Sequence, residues 1–259
     1  MVRRDKSNYV IQSVSHALDV LEQFRGEAEE IGVTELSKRL KLHKNNVFRL
    51  LATLESRDYI EQNKVTENYR LGLKCLQLGE AYVRQVGFLD QAKVVLRELA
   101  KGTQESAFAA LRKGMEIVPL DFVEPERIVR VVPFIGATLP LHATAAGKVH
   151  LAFESEGEFK ETLPETLKQY TRSTISDRSQ LMRQVGEVSE KGYAVDLGEY
   201  IEDVCCAAVP VRDYARSLVG SLCVAGPAYR LTPDKMEKEI IPRVLEGGRE
   251  LSRRLGFPG

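Results

Sequence analysis

Three short amphipathic segments separated by breaks fill residues 13–58, and the third opens on Lys44, Asn45 and Asn46 rather than on apolar side chains. From Ser13, the residues Val14, Ala17, Leu18, Leu21 and Phe24 recur at three- and four-residue steps, the period of a helix with one apolar face, and Gly26 is the expected stop. After an acidic turn over residues 26–32, Thr34 is the expected N-cap of a second helix, with Leu36 and Leu40 facing inward and Lys38, Arg39 and Lys41 outward. Leu42-His43 predicts a tight break, and helical spacing resumes through Val47, Leu50, Leu51 and Leu54. Helices this short are marginal alone, so they must pack on one another, and the order of two short helices, a brief turn and a third helix predicts a helix-turn-helix.

The chemistry of the third helix gives that unit a task. The chain carries no formal net charge, which excludes non-specific coating of a polyanion, but between Glu35 and Leu50 five basic residues face one acid. Asn side chains pair bidentately with adenine in the major groove, and Lys and Arg reach guanine edges or phosphates. Asn45, Asn46 and Arg49 are therefore the candidate readers of double-stranded DNA, with Lys44, Lys38 and Arg39 beside them. Next, Tyr59–Gln62 and Tyr69–Leu71 read as two short strands around a polar turn, a β-hairpin wing that would present Lys64 and Arg70 to the backbone or minor groove. The competing reading is a small helical bundle that binds protein.

Leu73, Leu76, Leu78, Ala81, Tyr82 and Val83 predict a linker helix whose apolar surface suits packing against a second copy. Beyond Asp90 a helix over residues 92–104 is followed by several short strands over residues 106–136, broken by Gly114, Pro125 and Gly136. Strands and helices then alternate to a terminal helix from Lys235, an α+β plan with a curved antiparallel sheet. Within it, Leu139-Pro140-Leu141 is extended and Thr144 is the expected N-cap of a helix that begins Ala145-Ala146-Gly147. The backbone N–H groups of Thr144, Ala145 and Ala146 would then attract a ligand carboxylate. Equally, the small side chains would serve only to let the helix pack.

The run from Val33 to Ile60 followed by Tyr69–Gly79, the segment Leu139–Phe153 and the segments Gly192–Asp213 and Leu218–Thr232 together resemble the IclR group of bacterial transcriptional regulators. The resemblance runs from about Val10 to about Leu255 and implies a winged helix-turn-helix over residues 1–74, a linker helix over 75–90 and a GAF-like, profilin-like effector-binding domain over 91–259. It also implies paired chains on a palindromic operator, a homodimer able to form a dimer of dimers, and a small organic-acid effector. Where the family commonly has Ser-Thr at the start of the recognition helix, this chain has Asn45-Asn46, which alters the operator sequence and not the groove contact. Asp196 and Cys206 match positions that line the family's effector pocket. Cys223 and Ala225 stand where relatives that bind small keto acids carry hydroxyls, so a larger or partly aromatic acid is expected.

The same residues also sketch other classes of protein. Cys206 with His142 or His150, oriented by Asp196, sketches a thiol nucleophile, and Cys205, Cys206, His142 and Asp196 sketch a metal site, although neighbouring strand residues point to opposite faces. No phosphate loop, dinucleotide fingerprint or paired-His zinc motif is present, so neither catalysis nor a cofactor is expected. The remaining alternative is a metabolite sensor that acts through protein partners without touching DNA. The four cysteines fit no disulfide framework, and the N-terminal stretch lacks the apolar core of a signal peptide, so the chain is expected to stay in the cytoplasm, with no membrane contact.

Overall fold

The computed structural model describes residues 10–25, 29–86, 88–133, 135–154 and 163–258. The chain divides into two compact units, residues 1–85 and 86–259.

In the first unit, α1 (Gln12–Glu22) runs into a 3₁₀ turn (Gln23–Arg25), and α2 (Val33–Leu40) and α3 (Lys44–Glu55) pack against it. Their shared core is Val20, Phe24, Leu36, Val47, Leu51 and Leu54, joined by Ile31, Ile60 and Tyr69. Two expectations change here. Val14 and Leu18, taken as core, are exposed, and Val20 takes the centre instead; the face of α1 that meets α3 runs through Ala17, Val20 and Leu21. Thr34 is not a cap, because the helix starts two residues earlier: Gly32 is the N-cap and its carbonyl accepts the N–H of Leu36. The expected stop at Gly26 lies outside the described residues. Lys41, left-handed at φ 54°, ends α2, and His43 caps α3 by accepting the N–H of Asn45 at Nδ1, 3.3 Å away. β1 (Ile60–Gln62) and β2 (Tyr69–Leu71) pair antiparallel with Glu61 opposite Arg70, as a wing requires.

α4 (Leu73–Val86) follows a turn in which Gly72 is obligatory, since a Cβ there would lie 2.3 Å from the carbonyl oxygen of Asp58. Its Leu73, Leu76 and Leu78 are exposed. The side chains of Tyr82 and Val83 lie outside the described ones. The next helix, α5 (Phe88–Thr103), begins before the predicted residue 92 because Phe88 and Leu89 extend the buried stripe of Ala92, Val95, Leu96 and Leu99 backwards by one turn.

The second unit is a six-stranded antiparallel sheet in the order β5-β4-β3-β8-β7-β6, formed by β3 (Ser106–Lys113), β4 (Glu116–Val123), β5 (Leu139–Pro140), β6 (Ala194–Leu197), β7 (Val204–Arg212) and β8 (Leu218–Pro227). Side chains alternate between its faces. Phe108, Ala110, Cys206, Ala208, Cys223 and Ala225 meet α6 (Ala145–Phe153) and α7 (Arg178–Lys191). The opposite face is covered by α5 and by α8 (Ile241–Arg254), which also pack on each other. One turn of helix (Pro233–Lys235) and a π-helical turn (Met236–Ile240) precede α8, and Pro242, which lacks an N–H to donate, falls in its first turn.

The strands expected between Glu124 and Gly136 do not form among the described residues. That segment crosses the sheet edge as a loop tied down at several points: the Ser106 hydroxyl donates to the Val131 carbonyl, Arg130 pairs with Glu124, and Arg230 donates to the Val129 carbonyl at 2.9 Å. Arg230 is itself gripped by Glu105, a fully buried carboxylate at 2.7 and 2.8 Å.

Candidate functional site

The first candidate surface is the outer side of α3. Lys44, Asn45, Asn46 and Arg49 are all exposed, while Val47 and Leu51 between and beyond them are buried. Helical spacing stacks Asn45 and Arg49 one turn apart on the same side. Phe48, absent from the candidate readers expected from sequence, is an exposed aromatic ring on this surface. Lys38 and Arg39 are exposed on α2, Arg39 in an ion pair with Glu35 at 2.9 Å. In the wing, Lys64 is exposed at the tip and Arg70 is engaged across the strands by Glu61. The tip is held in shape by Glu30, whose two carboxylate oxygens accept from Asn63 Nδ2 and Thr66 Oγ1, each at 2.7 Å.

The second is a cavity of about 290 Å³ between the sheet, the first turn of α6 and two loops. Thr144, Ala146, Asp196, Cys206 and Ala225 line it, and Ala145 and Cys223 do not. Ala145 faces the packed core instead, and Cys223 sits opposite Ala208, two residues before Ala225 on β8. Phe108, Pro119, Val131, Pro133 and Ile201 make the remaining wall largely apolar. The loop residues among them carried no periodic signal in the sequence.

Thr144 caps α6 as expected. Its hydroxyl accepts the N–H of Gly147 at 3.2 Å and donates to the Pro140 carbonyl at 2.8 Å, which fixes the helix start to β5. The N–H groups of Ala145 and Ala146 belong to the set an α-helix leaves without intrahelical acceptors. Gly147 has a separate reason for its size: a Cβ there would stand 1.8 Å from the Leu141 carbonyl oxygen. Small residues in this turn thus serve packing at Gly147 and open space at Ala146.

Asp196, only 5% exposed, accepts the N–H of Glu199 at 2.6 Å. Burial pushes its carboxyl up to about 7, with the Glu199 charge adding to the rise and the Glu199 N–H and Lys148 opposing it. Lys148, fully buried within a helix whose one other polar side chain is His150, donates to Glu199 Oε1 and to the Val195 carbonyl, 3.3 Å away. The hydroxyls of Thr171 and Thr174 hold the Gly198 and Glu199 carbonyls at 2.7 and 2.6 Å. Gly198, at φ 79°, is required where a Cβ would meet the Glu202 carbonyl oxygen at 2.6 Å. The loop carrying Tyr200 and Ile201 over the cavity is therefore held from three sides.

This arrangement does not assemble the nucleophile sketched from sequence. A hydrogen bond with Cys223 and burial push the Cys206 thiol well above its ordinary range, against a thiolate, and the His142 ring nitrogen lies 2.8 Å from the Lys168 carbonyl. Among the described residues no three His, Cys, Asp or Glu side chains are grouped to hold a metal, and no helix is long and apolar enough to cross a membrane.

Comparison with known proteins gives two family matches. "Bacterial transcriptional regulator IclR C-terminal" matches residues 80–253 and "IclR helix-turn-helix domain" matches residues 13–64. The HTH-type transcriptional regulator XynR of Escherichia coli is 32% identical over 96% of this chain and 99% of its own length. KdgR of Dickeya chrysanthemi is 33% identical over 98% of this chain and 83% of its own. The crystal structure of Thermotoga maritima IclR superposes with a TM-score of 0.78 at 27% identity, covering 95% of this chain and 99% of that one. An IclR homologue from Microbacterium hydrocarbonoxydans, complexed with 4-hydroxybenzoate, shares the fold with a TM-score of 0.82 at 18% identity, over 94% and 98% of the two chains. With the wing, the recognition helix and the antiparallel effector-type sheet all in place, the chain belongs to the IclR family of DNA-binding transcriptional regulators.

Proposed function

We propose that this regulator reads a palindromic operator as a homodimer, and that a small organic acid with an apolar or aromatic body, bound in the cavity beside Thr144 and Asp196, changes its affinity for that operator. The observation that carries the effector reading is the cavity itself: about 290 Å³, near the lower end of the roughly 300–1,000 Å³ common for ligand pockets, with apolar walls and two polar ends. At one end the amides of the first turn of α6 offer hydrogen bonds and a positive dipole to a carboxylate. At the other, Asp196 accepts from, or when protonated donates to, a ligand hydroxyl. The 4-hydroxybenzoate held by the Microbacterium homologue has this bipolar, ring-centred chemistry.

On the DNA side, Asn45, Asn46 and Arg49 read base edges, Phe48 supplies an apolar contact to a thymine methyl, and Lys44, Lys38, Arg39, Lys64 and Arg70 contact phosphates. Arg39 and Arg70 must exchange their carboxylate partners for phosphate on binding, so they contribute less than Lys44 and Lys64. Val10, Ile11, Val14 and Leu18 on and before α1, with Leu73, Leu76 and Leu78 on α4, form exposed apolar surface that a second copy would cover. The segment over 75–90 serves as the linker between a DNA-binding part over 1–74 and an effector domain over 91–259.

The test is thermal unfolding of the full chain against a panel of aromatic and aliphatic acids that includes 4-hydroxybenzoate. An acid that raises Tm should alter operator affinity, and both effects should vanish in Asp196→Ala. An acid that shifts operator affinity equally in Asp196→Ala would place the effector elsewhere.

A further inference from the structure

On the other face of the sheet lies a second, larger concavity of about 540 Å³, bounded by the end of α6, β7, α8 and the residues after it. Its side chains divide into an apolar wall and a basic set, Arg212, Arg249 and Arg253, and among the described residues none that lines it is acidic. Arg253 is paired with Glu250 at 2.9 Å. Arg212 is not: its guanidinium stacks over the Phe153 ring at 5.3 Å and faces the Phe257 ring at 5.8 Å, and among the described residues no carboxylate meets it. The backbone of Arg212 is fixed, its N–H donating to Ser252 Oγ at 3.1 Å while that hydroxyl donates to the Gly248 carbonyl at 2.7 Å. Gly248 cannot be larger, since a Cβ would press on Val209 at 2.4 Å, and that absence of a side chain keeps the floor open.

A guanidinium pre-set between two rings, its fork of donors unspent among the described residues, is the arrangement that recognises a planar carboxylate bidentately while its surroundings cover an apolar body. We propose that this concavity is a second ligand site, separate from the cavity at Asp196, that takes an aromatic carboxylate with Arg212 as its anchor. Phe153 and Phe257 hold the guanidinium plane and flank the ligand ring, and Arg249 adds to the positive field at the mouth.

Benzoate is the probe, and the Arg212 Nε–H resonance of the full chain, identified by its absence in Arg212→Gln, is the readout. Benzoate should shift that resonance saturably, in the parent and in Asp196→Ala alike, which separates this site from the effector cavity. Arg212→Lys, which lacks that resonance and is followed by calorimetric titration of benzoate beside the parent, should weaken the binding about tenfold by removing the fork while keeping the charge. Phe153→Leu should weaken benzoate and leave inorganic phosphate unaffected. A resonance that does not move at millimolar benzoate, or moves only when Asp196 is intact, overturns the proposal. So does equal binding of phosphate and benzoate regardless of Phe153, which would mark a bare positive charge.

Discussion

The Asp196 carboxylate and the Glu199 N–H meet at 2.6 Å inside a loop turn, and the same carboxylate forms one end of an apolar cavity. Burial outweighs that hydrogen bond and raises the Asp196 pKa from 3.8 to about 7. The folded chain therefore holds a proton that the unfolded chain releases between those two values, so this group's contribution to stability is full below pH 3.8 and is lost as pH rises towards 7. The slope from this one group reaches about 1.4 kcal/mol per pH unit. Asp196→Asn should remove that slope and unfold at a higher temperature than the parent at pH 8. Thermal unfolding of both proteins from pH 4 to pH 8 reads the difference directly; parallel curves would contradict the assignment.

Gly147→Ala should destabilise the chain by about 3 kcal/mol or more, at the upper end of overpacking costs, because the new methyl would meet the Leu141 carbonyl oxygen at 1.8 Å. Intrinsic helix propensity alone predicts the opposite sign, a gain of about 1 kcal/mol. Denaturant unfolding of the variant therefore decides between close packing and local preference, and an unchanged midpoint would count against the packing account.

Glu105 and Arg230 tie β3 to the turn after β8 and, through the Val129 carbonyl, to the loop that walls the cavity. Glu105→Ala takes both carboxylate bonds from Arg230 and should cost about 2–3 kcal/mol. The double variant Glu105→Ala/Arg230→Leu should recover much of that loss. Chemical denaturation of the three proteins checks this, and additive losses would show that the pair does not act as a unit.

Much of the fold was legible where one rule dominates. The helix-turn-helix followed from apolar period and a basic third helix, the wing from two short runs around Asn63, and the Thr144 cap from its place before small residues. What escaped was decided by tertiary contacts. Val14 and Leu18 share a helical face with Ala17 and Leu21 by period alone, yet only the side that meets α3 is buried, and Val20 occupies it. The segment around Val131 has strand-like composition, but Ser106 and Arg230 take up carbonyls that a sheet ladder would use. Of the residues named for the effector, the cavity gathers Thr144, Ala146, Asp196, Cys206 and Ala225 and leaves Ala145 and Cys223 in the packing behind it. Lys148 was a visible signal, a charge inside the mostly apolar run from Ala145 to Phe153, and it marks the loop that closes the cavity.

The central claim, that Asn45 and Arg49 on the exposed side of α3 read DNA in two symmetric copies, is tested most directly by selecting bound duplexes from a random pool with the full chain and footprinting the winners. The account predicts an inverted repeat with half-site centres one helical turn, about 10 base pairs, or a multiple of it apart. It also predicts affinity that falls steeply with added salt, and loss of enrichment in the double variant Asn45→Ala/Arg49→Ala. A pool that yields no common sequence, or the same sequence enriched equally by that variant, would contradict it.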